Sequence, residues 1–202
     1  MTSCVKKTIV LCFYLIFLFI IPFYPHKEKL LEVPIILSIL LAAVLHLSQP
    51  LADKNDKDMS YHALTIGFII SLLLPIVDFI YLKQTFLSNI WIAFVFSLSG
   101  LLLRIYSIQY LGKQFTSKVK IVEEHQLITS GPYKKIRHPS YTGSFMMLLG
   151  NALMYGSWLG ICAVVFFMLP AFLFRIRVEE KTLTAFFGQK YIDYKSRTRP
   201  LV

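Results

Sequence analysis

The chain has 202 residues, of which 56% are hydrophobic and only 16% charged, with a formal charge of +10. Soluble domains are roughly half apolar and about a quarter charged, so this composition, with its apolar runs of spanning length, excludes an ordinary soluble enzyme and indicates an integral membrane protein. The positive excess is uneven: residues 1–112 carry 8 basic and 6 acidic side chains, residues 113–202 carry 13 and 5, and with no soluble basic domain or reader motif this argues for a face near anionic lipid and against nucleic acid.

In chain order, Thr8 to Tyr24 is the first apolar run, preceded by Lys6 and Lys7. It has no small-residue cleavage site and ends in Pro22-Phe23-Tyr24-Pro25, so it is expected to be a retained first span. Val33 to Ser48, opened by Pro34, is short for a full crossing. A charged loop follows from Ala52 to Tyr61, then spans over His62 to Leu82 and Asn89 to Leu111.

From His125 to Tyr141 the chain turns polar, basic and turn-rich. Gly131-Pro132 reads as a turn, and His138-Pro139 starts a helix with proline near its first position. This stretch is either an interfacial basic loop with aromatic anchors or a grip for a polar cofactor beside lipid. Tyr141 to Tyr155 and Trp158 to Phe174, separated by Gly156-Ser157, are expected to form a helical hairpin that crosses the bilayer and returns. Gly156 and Gly160 would allow close approach, and Pro170 should kink the last helix. That helix runs on past Phe174 through Arg175, Arg177, Glu179, Glu180 and Lys181. Gly188 is its stop signal, and Tyr191 and Tyr194 share a face of a short tail helix that either lies on headgroups or closes over a pocket.

The expected architecture is all-α, a polytopic membrane bundle of five to six spans whose last two form the hairpin. Residues 1–88 would supply N-terminal spans and residues 89–202 a core with a cytoplasmic cofactor pocket. The richer basic segments fall on one side when six crossings are drawn, which puts both termini in the cytoplasm.

Polar residues within the runs carry further expectations. Asp78 and His46 should reach an interface, and Arg104 either snorkels or lines a cavity open to the cytoplasm. Arg175 and Glu179 are four apart and Arg177 and Glu180 three apart, so each pair should share a helix face. The widely separated Cys4, Cys12 and Cys162 show no ligand or disulfide spacing, and the five histidines show no paired ligand spacing, so no metal is expected. With no GxGxxG in the chain, a soluble dinucleotide-type site is not expected either.

The motifs Gly112-x-Gln114-Phe115, His125-x-Leu127-Ile128-x-x-Gly131-Pro132-Tyr133-x-x-x-Arg137-His138-Pro139-x-Tyr141, Arg177-x-Glu179-Glu180 and Phe187-Gly188-x-x-Tyr191-x-x-Tyr194 resemble the isoprenylcysteine carboxyl methyltransferase family, which belongs with the phospholipid methyltransferases. The resemblance covers about residues 100–200. It implies a membrane methyltransferase that uses S-adenosylmethionine in a pocket facing the cytoplasm. By motif, Gln114, His125, Leu127, Ile128, Gly131, Tyr133, His138, Pro139 and Tyr141 would shape or contact the cofactor. Glu179 or Glu180 would hold its polar parts, and Arg137, Arg175 or Arg177 would lie near the reacting group, with Glu180 a base if the acceptor is an amine.

The acceptor implied is a lipophilic small molecule or a prenylated cysteine reached through membrane lipid, with no obligate protein partner evident. A carboxylate acceptor is ionised near neutral pH and needs no base, whereas an amine would need one. Two rival readings are a nicotinamide-dependent, sterol-reductase-like membrane enzyme and a non-enzymatic scaffold or transporter subunit. The chain shows no internal repeat of the kind transporters carry.

Overall fold

In hydrocarbon every backbone N–H and C=O must be satisfied within its own segment, so the apolar runs of this chain have to fold as helices. The computed structural model describes residues 16, 24–48, 59–83, 86, 88–115 and 126–201. The expected first span, Thr8 to Tyr24, lies almost wholly outside them, as does His125. Helix α1 is Val33–Ser48, α2 is Met59–Leu82 with a final π-turn at Asp78–Leu82, and α3 is Ile90–Leu111. Helix α4 is Pro139–Met154, α5 is Trp158–Phe187, and α6 is Gln189–Arg197. Three of these, α2, α3 and α5, are long and apolar enough to cross a membrane; α1 and α4, at 16 residues each, fall short of the ~20 that a full crossing needs.

Local signals set most boundaries. Asn89 caps α3, its side chain accepting from the amides of Trp91 and Ile92 at 3.1 and 3.2 Å. Pro139 occupies the first turn of α4, where its missing N–H costs nothing. Helix α2 begins at Met59, inside the stretch expected to be loop. Just ahead of Leu169-Pro170, α5 opens into a π-turn at Val164–Met168, and this local widening is how the helix accommodates its proline.

Among the described residues, α3 and α4 pack at backbone distance, and small residues make the seam. Ser97, Gly100, Arg104 and Ser107 recur at three- and four-residue steps on α3 and are buried. Gly143 and Gly150 face them: a Cβ on Gly143 would lie 2.5 Å from the Gly100 carbonyl oxygen, and one on Gly150 would lie 2.6 Å from the Ser97 Cβ. Ser97 also donates to the Met147 carbonyl at 2.8 Å. Lipid gives apolar helices no solvent-driven reason to associate, so close backbone approach and such bonds supply the attraction. Arg104 belongs to this seam. Rather than snorkelling or opening to water, it donates to the Ser140 carbonyl at 3.2 Å and the Ser144 hydroxyl at 2.7 Å.

The turn between α4 and α5 is stitched to α2. Asp78 does not reach an interface; it is fully buried and accepts from the Ser157 hydroxyl at 2.6 Å. Ser157 in turn caps the Gly160 amide at 2.9 Å. Of the two glycines expected to close the hairpin, Gly156 makes the turn itself, with φ +59 and the Phe86 carbonyl pressed against it. Gly160 meets Pro75 of α2 as well as Ala152 of α4. Large apolar side chains such as Ile76, Leu101, Leu148 and Phe172 fill the space between these contacts.

The seam sets a direct stability test. Gly143→Ala forces a methyl into backbone and should lower the stability of the detergent-solubilised protein by about 1–3 kcal/mol. Ser99→Ala, on the exposed side of α3, should change it by less than about 0.5 kcal/mol. Thermal unfolding of both variants checks this, and equal effects would contradict the packing described.

Candidate active site

Beyond Phe174 the face of α5 changes from apolar to charged, and two adjacent acids, Glu179 and Glu180, occupy the same turn. Neighbours on a helix point about 100° apart, so the two carboxylates recruit different partners. Glu179 accepts from the Tyr141 hydroxyl at 2.5 Å and from Arg175 Nε at 2.9 Å. Glu180 accepts from Arg137 Nε at 2.8 Å and pairs with Lys195 Nζ at 2.6 Å. One side chain joins them: His138 places Nδ1 3.4 Å from Glu179 and Nε2 3.4 Å from Glu180, its ring stacked on Tyr141. Arg175 is 1% exposed and reaches on to the Ser60 hydroxyl at the start of α2, 2.9 Å away.

The segment before α4 carries half of this cluster, and its course follows from turn chemistry. Gly131 has φ +57, and a Cβ there would sit 2.5 Å from the Tyr110 ring, so only glycine lets the turn at Gly131–Lys134 fold against α3. Tyr133, buried behind it, donates to the Ser107 carbonyl at 3.2 Å. The tail then covers the outside. Tyr194 donates to the Tyr133 carbonyl at 2.7 Å, and the Arg137 amide donates to the Arg199 carbonyl at 2.8 Å while the Arg199 amide returns to Lys135 at 3.0 Å. Of the two courses open to the tail helix, it takes the one that closes over the polar cluster.

Burial pushes the Tyr133 and Tyr191 phenols up, and that of Tyr194 to about 12, so all three stay neutral donors near neutral pH. Burial alone would lower His138, but its hydrogen bonds to Glu179 and Glu180 outweigh that and hold the imidazole above its ordinary value. The set therefore combines two carboxylates, several cations and neutral phenols within one small volume. Such a set suits a zwitterion, since carboxylates hold an ammonium and cations hold a carboxylate.

Of the residues singled out from sequence, Arg137, His138, Tyr141, Arg175, Glu179 and Glu180 converge, with Tyr133 and Pro139 buried alongside. Gln114, Leu127, Ile128 and Gly131 make none of these contacts; the Gln114 side chain accepts from the Gln126 amide at 2.8 Å. Arg177 does not join: it is exposed, and the expected Arg177–Glu180 pair is replaced by Glu180 with Arg137 and Lys195. Sequence reasoning missed Lys195 and Ser60. Lys195 lies one turn beyond Tyr191 and could have been read from that spacing; Ser60 carries no such signal.

Residues 91–185 match the profile of the isoprenylcysteine carboxyl methyltransferase (ICMT) family. Protein-S-isoprenylcysteine O-methyltransferase B of Arabidopsis thaliana is 31% identical over 164 residues, covering 78% of this chain and 81% of that protein. The protein-S-isoprenylcysteine O-methyltransferase of Saccharomyces cerevisiae is 40% identical over 88 residues, covering 43% of this chain and 37% of that protein. Among solved structures, a eukaryotic intramembrane Ras methyltransferase, ICMT, superposes with a TM-score of 0.56 at 22% identity, covering 98% of this chain and 86% of that one. At that identity the likeness is one of fold.

The histidine bridge gives a pH dependence of known sign. Because the folded-state value is raised, the stability from charged His138 is complete below about pH 6.5, its unfolded value. It is lost as pH rises through the raised folded value. The unfolding temperature of wild type minus that of His138→Asn should therefore shrink as pH rises from about 6.5. A difference constant across pH would contradict the bridge.

Proposed function

The chain belongs to the isoprenylcysteine carboxyl methyltransferase family and is a membrane methyltransferase, and from this we propose that it transfers the methyl group of S-adenosylmethionine to the carboxylate of a prenylated cysteine. The observation that carries this reading is the His138 bridge between Glu179 and Glu180 at the point where α5 turns from apolar to charged. A charged methyl donor and an acceptor with a hydrocarbon tail can meet only at such a boundary. The donor set fits the cofactor: Glu179 and Glu180 match its ammonium, and His138, held charged between them, its carboxylate. The Tyr191 hydroxyl is buried beside them without a hydrogen-bond partner among the described residues. The nicotinamide-dependent reductase reading gives way to family membership.

When bound, S-adenosylmethionine supplies an electrophilic methyl on a positively charged sulfur. The acceptor carboxylate is ionised at neutral pH, so the chain needs no base and acts by aligning the reactants and excluding water. Glu180 suits that division of labour, because Arg137 and Lys195 already hold its charge and make it a poor proton acceptor for an amine substrate. We assign the orienting role to Arg175. It is buried one turn beyond Phe172, whose ring packs on Tyr141, and so meets a carboxylate whose prenyl chain stays in lipid. Arg177, exposed, is left out of that role. Residues 89–202 form the catalytic core on this reading, residues 1–88 support it, and both termini face the cytoplasm.

Purified protein in lipid, given tritiated S-adenosylmethionine and a prenylcysteine acceptor, should yield label that alkali releases as methanol, the signature of a methyl ester. Alkali-stable label would mean an amine or hydroxyl acceptor. Arg175→Ala should reduce turnover by about a hundredfold, the scale of misplacing a reactant. Arg177→Ala should stay within about threefold at saturating substrates.

A further inference from the structure

Arg137 stands among the family-motif residues next to the reacting groups, yet its guanidinium is committed elsewhere. Nε holds Glu180. Nη1 donates to the Lys195 carbonyl at 3.0 Å, to the Thr198 carbonyl and to the Thr198 hydroxyl at 3.4 Å. Those carbonyls belong to the end of α6, where the last turn of any helix leaves acceptors without partners and carries partial negative charge. Arg137 is thus a C-terminal cap for α6 supplied from 58 and 61 residues away in sequence, bonded at the same time to the carboxylate at the centre of the site.

The tail it caps is built to move as a unit. Gly188 joins α5 to α6 with φ +55 and ψ −130, a conformation open to glycine almost alone, and nothing lies within 4 Å of where its Cβ would be. The glycine is therefore required by the bend and not by packing, as a hinge would be. Beyond it, Tyr191 is 1% exposed, so the tail covers the cluster closely. Along α6 its ties to the cluster are side-chain bonds, Tyr194 on Tyr133, Lys195 on Glu180 and the several bonds of the Arg137 guanidinium, while main-chain bonds of residues 135–138 hold only its last residues, Arg199 and Pro200.

We propose that Arg137 is a positioning residue that latches the tail, residues 189–201, as a lid hinged at Gly188 over Glu180, and does not touch the methyl acceptor. The latch stands on geometry; its consequence for the methyl donor rests on the function proposed above. With the lid held by Arg137, the donor is enclosed between α6 and the two glutamates. Without it the donor escapes, while the acceptor, arriving from the lipid side by Arg175, is bound as before.

The test is Arg137→Gln in the full chain, reconstituted in lipid nanodiscs. Hydrogen exchange of amides 190–199 should speed up by about tenfold or more, the loss expected for bonds to a charged donor, while the α3–α4 seam keeps its protection. The KM for S-adenosylmethionine should rise by about tenfold with the acceptor KM within about twofold. Arg137→Lys should recover only part of both, since one ammonium cannot serve Glu180 and the helix carbonyls together. If Arg137→Gln does not fold, Lys195→Met tests the latch from the tail side, with tail exchange and donor KM rising together. Unchanged tail exchange in the folded variant, or a rise confined to the acceptor KM, would overturn the proposal. If the wild-type protein transfers no methyl group at all, the functional reading fails and the exchange measurement alone decides the latch.

Discussion

Two carboxylates side by side on a helix that has just left an apolar run cannot remain there uncompensated. Ionised groups taken out of water cost several kcal/mol each unless they are paired, by the usual order of magnitude, and Glu179 and Glu180 gather partners from four parts of the chain. Arg137 and His138 come from the segment before α4, Tyr141 from α4 itself, Arg175 from α5 one turn earlier, and Lys195 from the tail. The acid pair is therefore the node at which the two polar stretches flanking the hairpin become one body.

The rest of the fold keeps this node in register. The glycine and serine seam fixes α4 against α3 at backbone distance, and Arg104 bonds the first turn of α4, which also carries Tyr141. At the far end of the hairpin, Asp78 and Ser157 tie the turn to α2. Helix α2 in turn reaches back to the node through Ser60 and Arg175. Both ends of the hairpin are thus pinned to the same neighbouring helix, and a shift at either would misalign His138 with the glutamates.

Local signals were enough to read the helices, because their causes are local. Asn89 as a cap, Pro139 in a first turn, Gly156-Ser157 as a break and Gly188 as a stop act within a few residues of themselves. The pairings were not legible where distance in sequence separates the partners. Arg177 and Glu180 satisfy the helical spacing rule, yet the better-placed and buried Arg137 displaces Arg177 from 43 residues away. Arg104 and Asp78 looked like groups seeking water because their partners, Ser144 and Ser157, are ordinary serines with no mark of that role. Gly100 and Gly143 bring α3 and α4 to backbone distance, while the more visible glycine spacing at 156 and 160 serves a turn and a contact with α2. The motif residues of the site were legible through their resemblance to a family; which of them pair with which needed the geometry.

On the function proposed above, the Glu179–Glu180 node, closed by residues 131–141 on one side and the tail on the other, would enclose the methyl donor. Photocrosslinking of tritiated S-adenosylmethionine to the protein in lipid, followed by peptide mapping, tests it most directly. The expected result is label in peptides spanning 126–141 and 175–195, abolished by excess unlabelled donor. Competed label in α1 or α2, with those two peptides unlabelled, would contradict it.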